Sequence, residues 1–136
     1  MNTVLEKTNV ESVKNAIQEL IKAGTTFDVD TLERIYHDSL QVISIDLEDN
    51  VSIADKAAFK GLFETKRKAG SDPLSTWAKF DHVAVNENKA HVLISRKVNL
   101  VNEDQYLVLS IDLIWEDDRW QVTREVIFAR PDESNS

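Results

Sequence analysis

Residues 105–129, QYLVLSIDLIWEDDRWQVTREVIFA, decide the architecture. Two runs rich in Leu, Val, Ile and aromatic residues flank Asp117-Asp118, which reads as a short turn between two strands. A two-residue turn there sets Trp115 opposite Trp120 and Leu113 opposite Val122. Strict alternation extends the pairing to Ile111 with Arg124, Leu109 with Val126 and Leu107 with Phe128. The same reading predicts two earlier strands at about 77–85 and 90–101, linked by short turns that force antiparallel neighbours. A two-residue turn at Glu103-Asp104 would pair Val98 with Leu109, Arg96 with Ile111 and Ile94 with Leu113.

Helices precede these strands. Val10, Val13, Ile17, Leu20 and Ile21 form one apolar stripe, which predicts a helix over about 9–23. Thr8-Asn9-Val10-Glu11 fits a capping box, and Gly24 is a natural stop. Asp30-Thr31-Leu32-Glu33 opens a second, short helix with Tyr36 on its core stripe, ending near Ser39. Val42–Leu47 and Val51–Ile53 change to strand character, and Asp55 caps a third helix over about 56–69. Three helices followed by a long antiparallel sheet make an α+β fold with the helices on one face.

The chain has 136 residues, one domain's worth: an extended or disordered segment at 1–8, a single domain over 9–130 and a disordered tail at 131–136. With 42% hydrophobic and 29% charged residues it has a globular composition. There is no cysteine, which excludes disulfides, thiolate metal sites and a thiol nucleophile. A net charge of −8 argues against nucleic acid as a partner. No long apolar run and no signal-peptide pattern are present, so a cytoplasmic protein without a membrane partner is expected. No histidine pair has metal-ligand spacing and no phosphate loop occurs, so neither metal nor cofactor is expected.

The element order resembles the nuclear-transport-factor-2-like superfamily, in particular its SnoaL-like members. Leu32-Glu33-Arg34-Ile35-Tyr36-His37-Asp38 is similar to that family's second-helix ending. Asp117-Asp118-Arg119-Trp120-Gln121-Val122 is similar to its D-G-R-W hairpin, with Asp118 where glycine is usual. The resemblance spans residues 8–130. It implies three helices on one face of a strongly curved, mostly antiparallel sheet, a cone-shaped barrel with an internal pocket. It also implies a homodimer through the outer sheet face, where alternation leaves Val101, Tyr106, Val108, Ile114 and Ile127 among polar residues.

Alternation puts two charges on the otherwise apolar inner face, Arg96 and Arg124, on either side of Ile111. Their Cβ atoms would stand about 10 Å apart, so both guanidiniums could hold one small carboxylate. The competing reading pairs each with a structural carboxylate such as Glu33, Asp38 or Asp46. On the first long strand only one of Asp81 and His82 can face inward. A two-residue turn at Glu87-Asn88 selects Asp81, whereas a three-residue loop selects His82 together with Phe80, and the latter is preferred because Phe80 and Ala84 then join the core. Tyr36, Phe80 and Trp120 complete the expected ligand-binding set. The sequence thus points to a small-molecule-binding domain with an enclosed, arginine-containing pocket for an acidic organic ligand. Two alternatives stay open: a SnoaL-like isomerase, dehydratase or cyclase using His82 or Asp81, and an oligomerising protein-interaction module.

Overall fold

The computed structural model describes residues 8–98 and 105–131. Along the chain run α1 (Val10–Thr25), α2 (Val29–Ile35), β1 (Tyr36–Ile45), β2 (Val51–Asp55), α3 (Lys56–Lys68), β3 (Ala78–Asn86), β4 (Lys89–Val98), β5 (Gln105–Glu116) and β6 (Arg119–Pro131). The strands form one curved, open sheet in the order β2-β1-β6-β5-β4-β3. All neighbours are antiparallel except β1 and β6, which run parallel. The three helices pack against one face of this sheet.

Local chemistry sets the helix starts. Asn9 caps α1 by accepting from the Ser12 amide, and the Ser12 hydroxyl accepts from the Asn9 amide. The capping box thus sits one residue later than Thr8 and Glu11 would place it. Asp28, rather than Asp30, caps α2 by accepting from the Thr31 amide and hydroxyl. The helix ends at Ile35, and Tyr36 is extended, with φ of −81° and ψ of 125°. Tyr36 consequently opens β1 instead of closing the helix. Asp55 caps α3 as the sequence predicts, accepting from the Ala58 amide. Gly24 lies inside α1, and Phe27, with φ of 56°, makes the left-handed exit.

Val13, Ile17, Leu20 and Ile21 of α1 and Leu32 and Ile35 of α2 bury against Val42, Val92, Ile94, Ile111, Leu113 and Val122 of the sheet. The Trp120 indole docks on α1, its Nε1 donating to Ser12 Oγ at 3.0 Å, and meets Trp115 edge-on at 5.5 Å. By contrast, α3 buries none of its residues fully, and Leu62 is 59% exposed.

The Asp117-Asp118 turn has two residues, both at positive φ, so aspartate holds the conformation that glycine would. Trp115 pairs with Trp120 as read from sequence. Three other register expectations change. Arg96 pairs with Leu107, not Ile111; the expected turn at Glu103-Asp104 and Val101 lie outside the described residues. This slip is even in number, so Arg96 keeps its inward face. A β-bulge at Asp81 lets Phe80 pair Ile94 and His82 pair Leu93. A second bulge at Thr123 lets Val122 pair Leu113 while Arg124 pairs Asp112 and Glu125 pairs Ile111. Beyond it every residue of β6 changes face. The expected segments at 1–8 and 131–136 lie almost wholly outside the described residues.

Gly61 sits inside α3 with no heavy atom within 4 Å of where a Cβ would stand. Gly61→Ala should therefore stabilise the fold by about 0.5–1 kcal/mol, read as a higher urea midpoint at unchanged m-value.

Candidate functional site

The inner face of β6 supplies the central group. Glu125 follows the Thr123 bulge and lies in a row with Val92, Ile111 and Val42 on the neighbouring strands. It is 3% exposed. Taking a carboxylate out of water disfavours its charged form, and burial raises the Glu125 pKa from 4.5 to about 7. The positive charge of Arg96 opposes that shift without cancelling it.

Tyr36 is the second buried polar group, brought onto the inner face where β1 begins. Burial raises its phenol pKa well above 10, and the Glu125 charge pushes in the same direction. The phenol is therefore a hydrogen-bond donor at any ordinary pH. Its ring packs against Phe59 of α3 at 5.7 Å, and Phe59 meets Phe63 edge-on at 5.2 Å. Among the described residues, no sealed side-chain polar atom lacks a hydrogen-bond partner. The Glu125 charge acts on the Tyr36 phenol across the inner face.

Arg96 is buried on the same face, further along β4. Its Nε donates to the Trp77 carbonyl at 2.9 Å and its Nη2 to the Ser75 carbonyl at 2.6 Å. It thus fastens the segment leading into β3 to the sheet. Burial lowers its pKa, and Glu125 offsets part of the effect.

The remaining expected site residues separate. Arg124 is exposed on the outer face, turned away from Arg96 by the Thr123 bulge. Asp81 and His82 also lie outside the interior, because the β3 bulge gives the inward positions to Phe80, Val83 and Val85. Asp81 accepts from Ser95 Oγ at 2.6 Å on the outer side. Phe80 is inward and half-buried, with the Lys14 ammonium 5.7 Å from its ring centroid. Trp120 is buried but committed to α1. Sequence reasoning missed Glu125, since an unbroken alternation assigns it to the outer face. The one available signal is the run Val126-Ile127-Phe128, which satisfies either strand parity.

A cleft of about 330 Å³ opens at the start of β1, where Tyr36 itself contributes to the lining, between α2, the start of α3 and the β5–β6 turn. Several of its charges pair with one another, with carboxylates in excess. Lys56 bridges Glu33 at 3.2 Å and Asp38 at 3.1 Å, and His37 meets Glu116 at 3.2 Å. Lys60 also pairs with Glu33. No group of metal-ligating side chains and no helix long and apolar enough to cross a membrane occurs among the described residues.

No family model matches this sequence, and no curated protein matches it. Solved structures do match. An NTF2-like protein of unknown function from Silicibacter pomeroyi is similar at 16% identity and TM-score 0.73, covering 89% of this chain and 95% of that one. An NTF2-like protein from Cytophaga hutchinsonii is similar at 15% identity and TM-score 0.67, covering 88% and 97%. One from Rhodospirillum rubrum, described as of unknown function in nutrient uptake, gives 15% and 0.64, covering 87% and 98%. These likenesses establish an NTF2-like fold.

Glu125 ties stability to pH with a definite sign. The folded chain holds this proton between pH 4.5 and about 7, where the unfolded chain releases it. The resulting stabilisation is complete below about pH 4.5 and is lost as pH rises through about 7. Wild type should lose roughly 2–3 kcal/mol over that window that Glu125→Gln keeps. Urea titrations at pH 4.5 and 8 test this, and parallel profiles would refute it.

Proposed function

We propose that this chain binds a small, largely apolar molecule beneath its helices and that Glu125 makes the principal polar contact. The observation that supports this is the pairing of Glu125 and Tyr36. The Glu125 charge acts on the Tyr36 phenol, Val42 and Ile111 flank Glu125 on the neighbouring strands, and the Phe59 ring packs on Tyr36. Ligand sites typically have this composition, apolar walls with a few convergent polar groups. An acidic ligand has less support than the sequence suggested. Arg124 lies on the opposite face, two Arg96 nitrogens are occupied by carbonyls, and a charged Glu125 repels an anion.

A second reading has its own support. A carboxyl with a pKa of about 7 can accept and return a proton at neutral pH. A buried phenol can donate to a developing oxyanion. That pair suits the isomerase, dehydratase or cyclase chemistry of SnoaL-like proteins, with Glu125 in the place first given to His82 or Asp81.

Thermal shift with matched small molecules tests the binding reading. Neutral ring ketones and phenols should raise the melting temperature of wild type but not of Glu125→Leu. A response confined to carboxylates would overturn it in favour of an arginine site.

We also propose a homodimer, now placed on one half of the outer face. The Thr123 bulge moves Ile127 inward and brings Phe128 out. Phe128 joins Ile43, Ile45, Val51 and Ile53, with Val51 and Ile53 61% and 64% exposed. A patch of this kind suits a two-fold contact. Light scattering at micromolar concentration should return twice the 15.5 kDa chain mass, and Ile53→Glu with Phe128→Glu should return the single chain.

A further inference from the structure

The outer face of β4 and β5 brings together three side chains that the interior site does not use. His91 and Asp112 are directly opposite one another across the strand pair. His91 Nδ1 lies 2.7 Å from Asp112 Oδ1. Ser110, two residues before Asp112 on the same face, places its Oγ 3.4 Å from His91 Nε2. His91 and Asp112 are each partly exposed, and Ser110 is half-buried.

The polarity of this chain is chemically determined. An ionised carboxylate only accepts hydrogen bonds, so Asp112 places the proton of neutral His91 on Nδ1. The Nε2 lone pair is then directed at Ser110, whose hydroxyl donates. That is the arrangement in which imidazole acts as general base towards a serine, with the carboxylate fixing tautomer and ring orientation. All three residues sit on paired strands, which hold their spacing more firmly than loops would. The 3.4 Å contact is long for a formed hydrogen bond, as nucleophile–base contacts often are before substrate tightens them.

Two neighbours supply what the relay lacks. Arg124 pairs with Asp112 across β6 and is exposed on this face, diagonal to Ser110. Its fixed positive charge can stabilise an oxyanion. Leu93 and Val126, the two residues opposite Ser110, provide apolar ground on either side of the hydroxyl.

We infer that Ser110, His91 and Asp112 form a nucleophile relay on the outer sheet face that transfers acyl groups from small esters of apolar acids to water. Ser110 Oγ attacks the ester carbonyl carbon, and its proton passes to His91 Nε2. The negative charge on the carbonyl oxygen faces Arg124. Collapse breaks the ester C–O bond, and the leaving alkoxide takes the proton from His91. Water then repeats the sequence, with His91 as base, releasing the acid and restoring Ser110. The relay lies on the opposite side of the sheet from Glu125 and is independent of the interior reading.

The test uses 4-nitrophenyl butyrate with the full chain, following nitrophenolate release, intact mass and the modified peptide. One butyryl group per chain should form, and it should map to Ser110. Ser110→Ala should abolish that adduct. His91→Gln should slow acylation roughly 100-fold or more, and Arg124→Met should slow it roughly 10-fold. His82→Gln, an exposed histidine on the same face outside the relay, should leave the rate unchanged. A fluorophosphonate, which forms an Oγ–P bond with loss of fluoride, should label the same serine. Acylation confined to lysine or histidine, or a rate indifferent to Ser110→Ala in a variant with native circular dichroism, would overturn the inference.

Discussion

The insertion of Thr123 into the β5–β6 ladder is the constraint on which the interior depends. One extra residue of β6, Thr123, is accommodated between the pairs Val122–Leu113 and Arg124–Asp112, and the Thr123 hydroxyl donates to the Asp112 carbonyl at 3.3 Å. Side chains alternate with a period of two, so one extra residue exchanges the faces of everything that follows. Glu125, Ile127 and Ala129 turn towards the helices, and Arg124, Val126 and Phe128 turn outward. The raised pKa of Glu125, the further rise in that of Tyr36 and the make-up of the outer apolar patch all follow from that exchange.

Helix packing then determines how open the interior stays. The apolar stripe of α1 is deeply buried, and α2 is short but contributes Leu32 and Ile35 to the same core. Only partial burial is available to α3, whose Phe59 and Phe63 form an aromatic wall beside Tyr36. A helix with no fully buried residue gains little from the hydrophobic effect and is among the elements least costly to displace. The side of the interior nearest Tyr36 is therefore its most yielding wall. Arg96 does the opposite work at the β3 end, where its two bonds to main-chain carbonyls fix the approach to the strand.

Most of the architecture was legible in the sequence. Helical spacing located all three helices, and the turn at Asp117-Asp118 set the Trp115–Trp120 pair correctly. The parity of Arg96 survived a shifted register because the shift was even. The site was legible only in part. Arg96, Tyr36 and Phe80 were recognised as inward, but Arg124 and the inward member expected of the pair Asp81 and His82 both lie on the outer face. Both errors have one cause. A β-bulge leaves no strong mark in composition, and near Thr123 the apolar run Val126-Ile127-Phe128 is compatible with either face. Tyr36 was assigned to a helix because the cap was sought at Asp30, although Asp28 accepts from the Thr31 amide and starts the helix earlier.

The bulge also settles a conflict of charge. Without it, Arg124 would occupy the inner face beside Ile111, on the same side of the sheet as Arg96. Two guanidiniums would then share a low-dielectric interior, and neither loses its charge readily. With the bulge, the inward residue is Glu125. Its charge attracts that of Arg96, and unlike arginine it can become neutral near pH 7 when attraction does not repay desolvation. Outside, Arg124 keeps its hydration and lies across from Asp112. The same residue that bends the strand thus replaces a repulsion with an attraction on one face and sets a cation beside a carboxylate on the other.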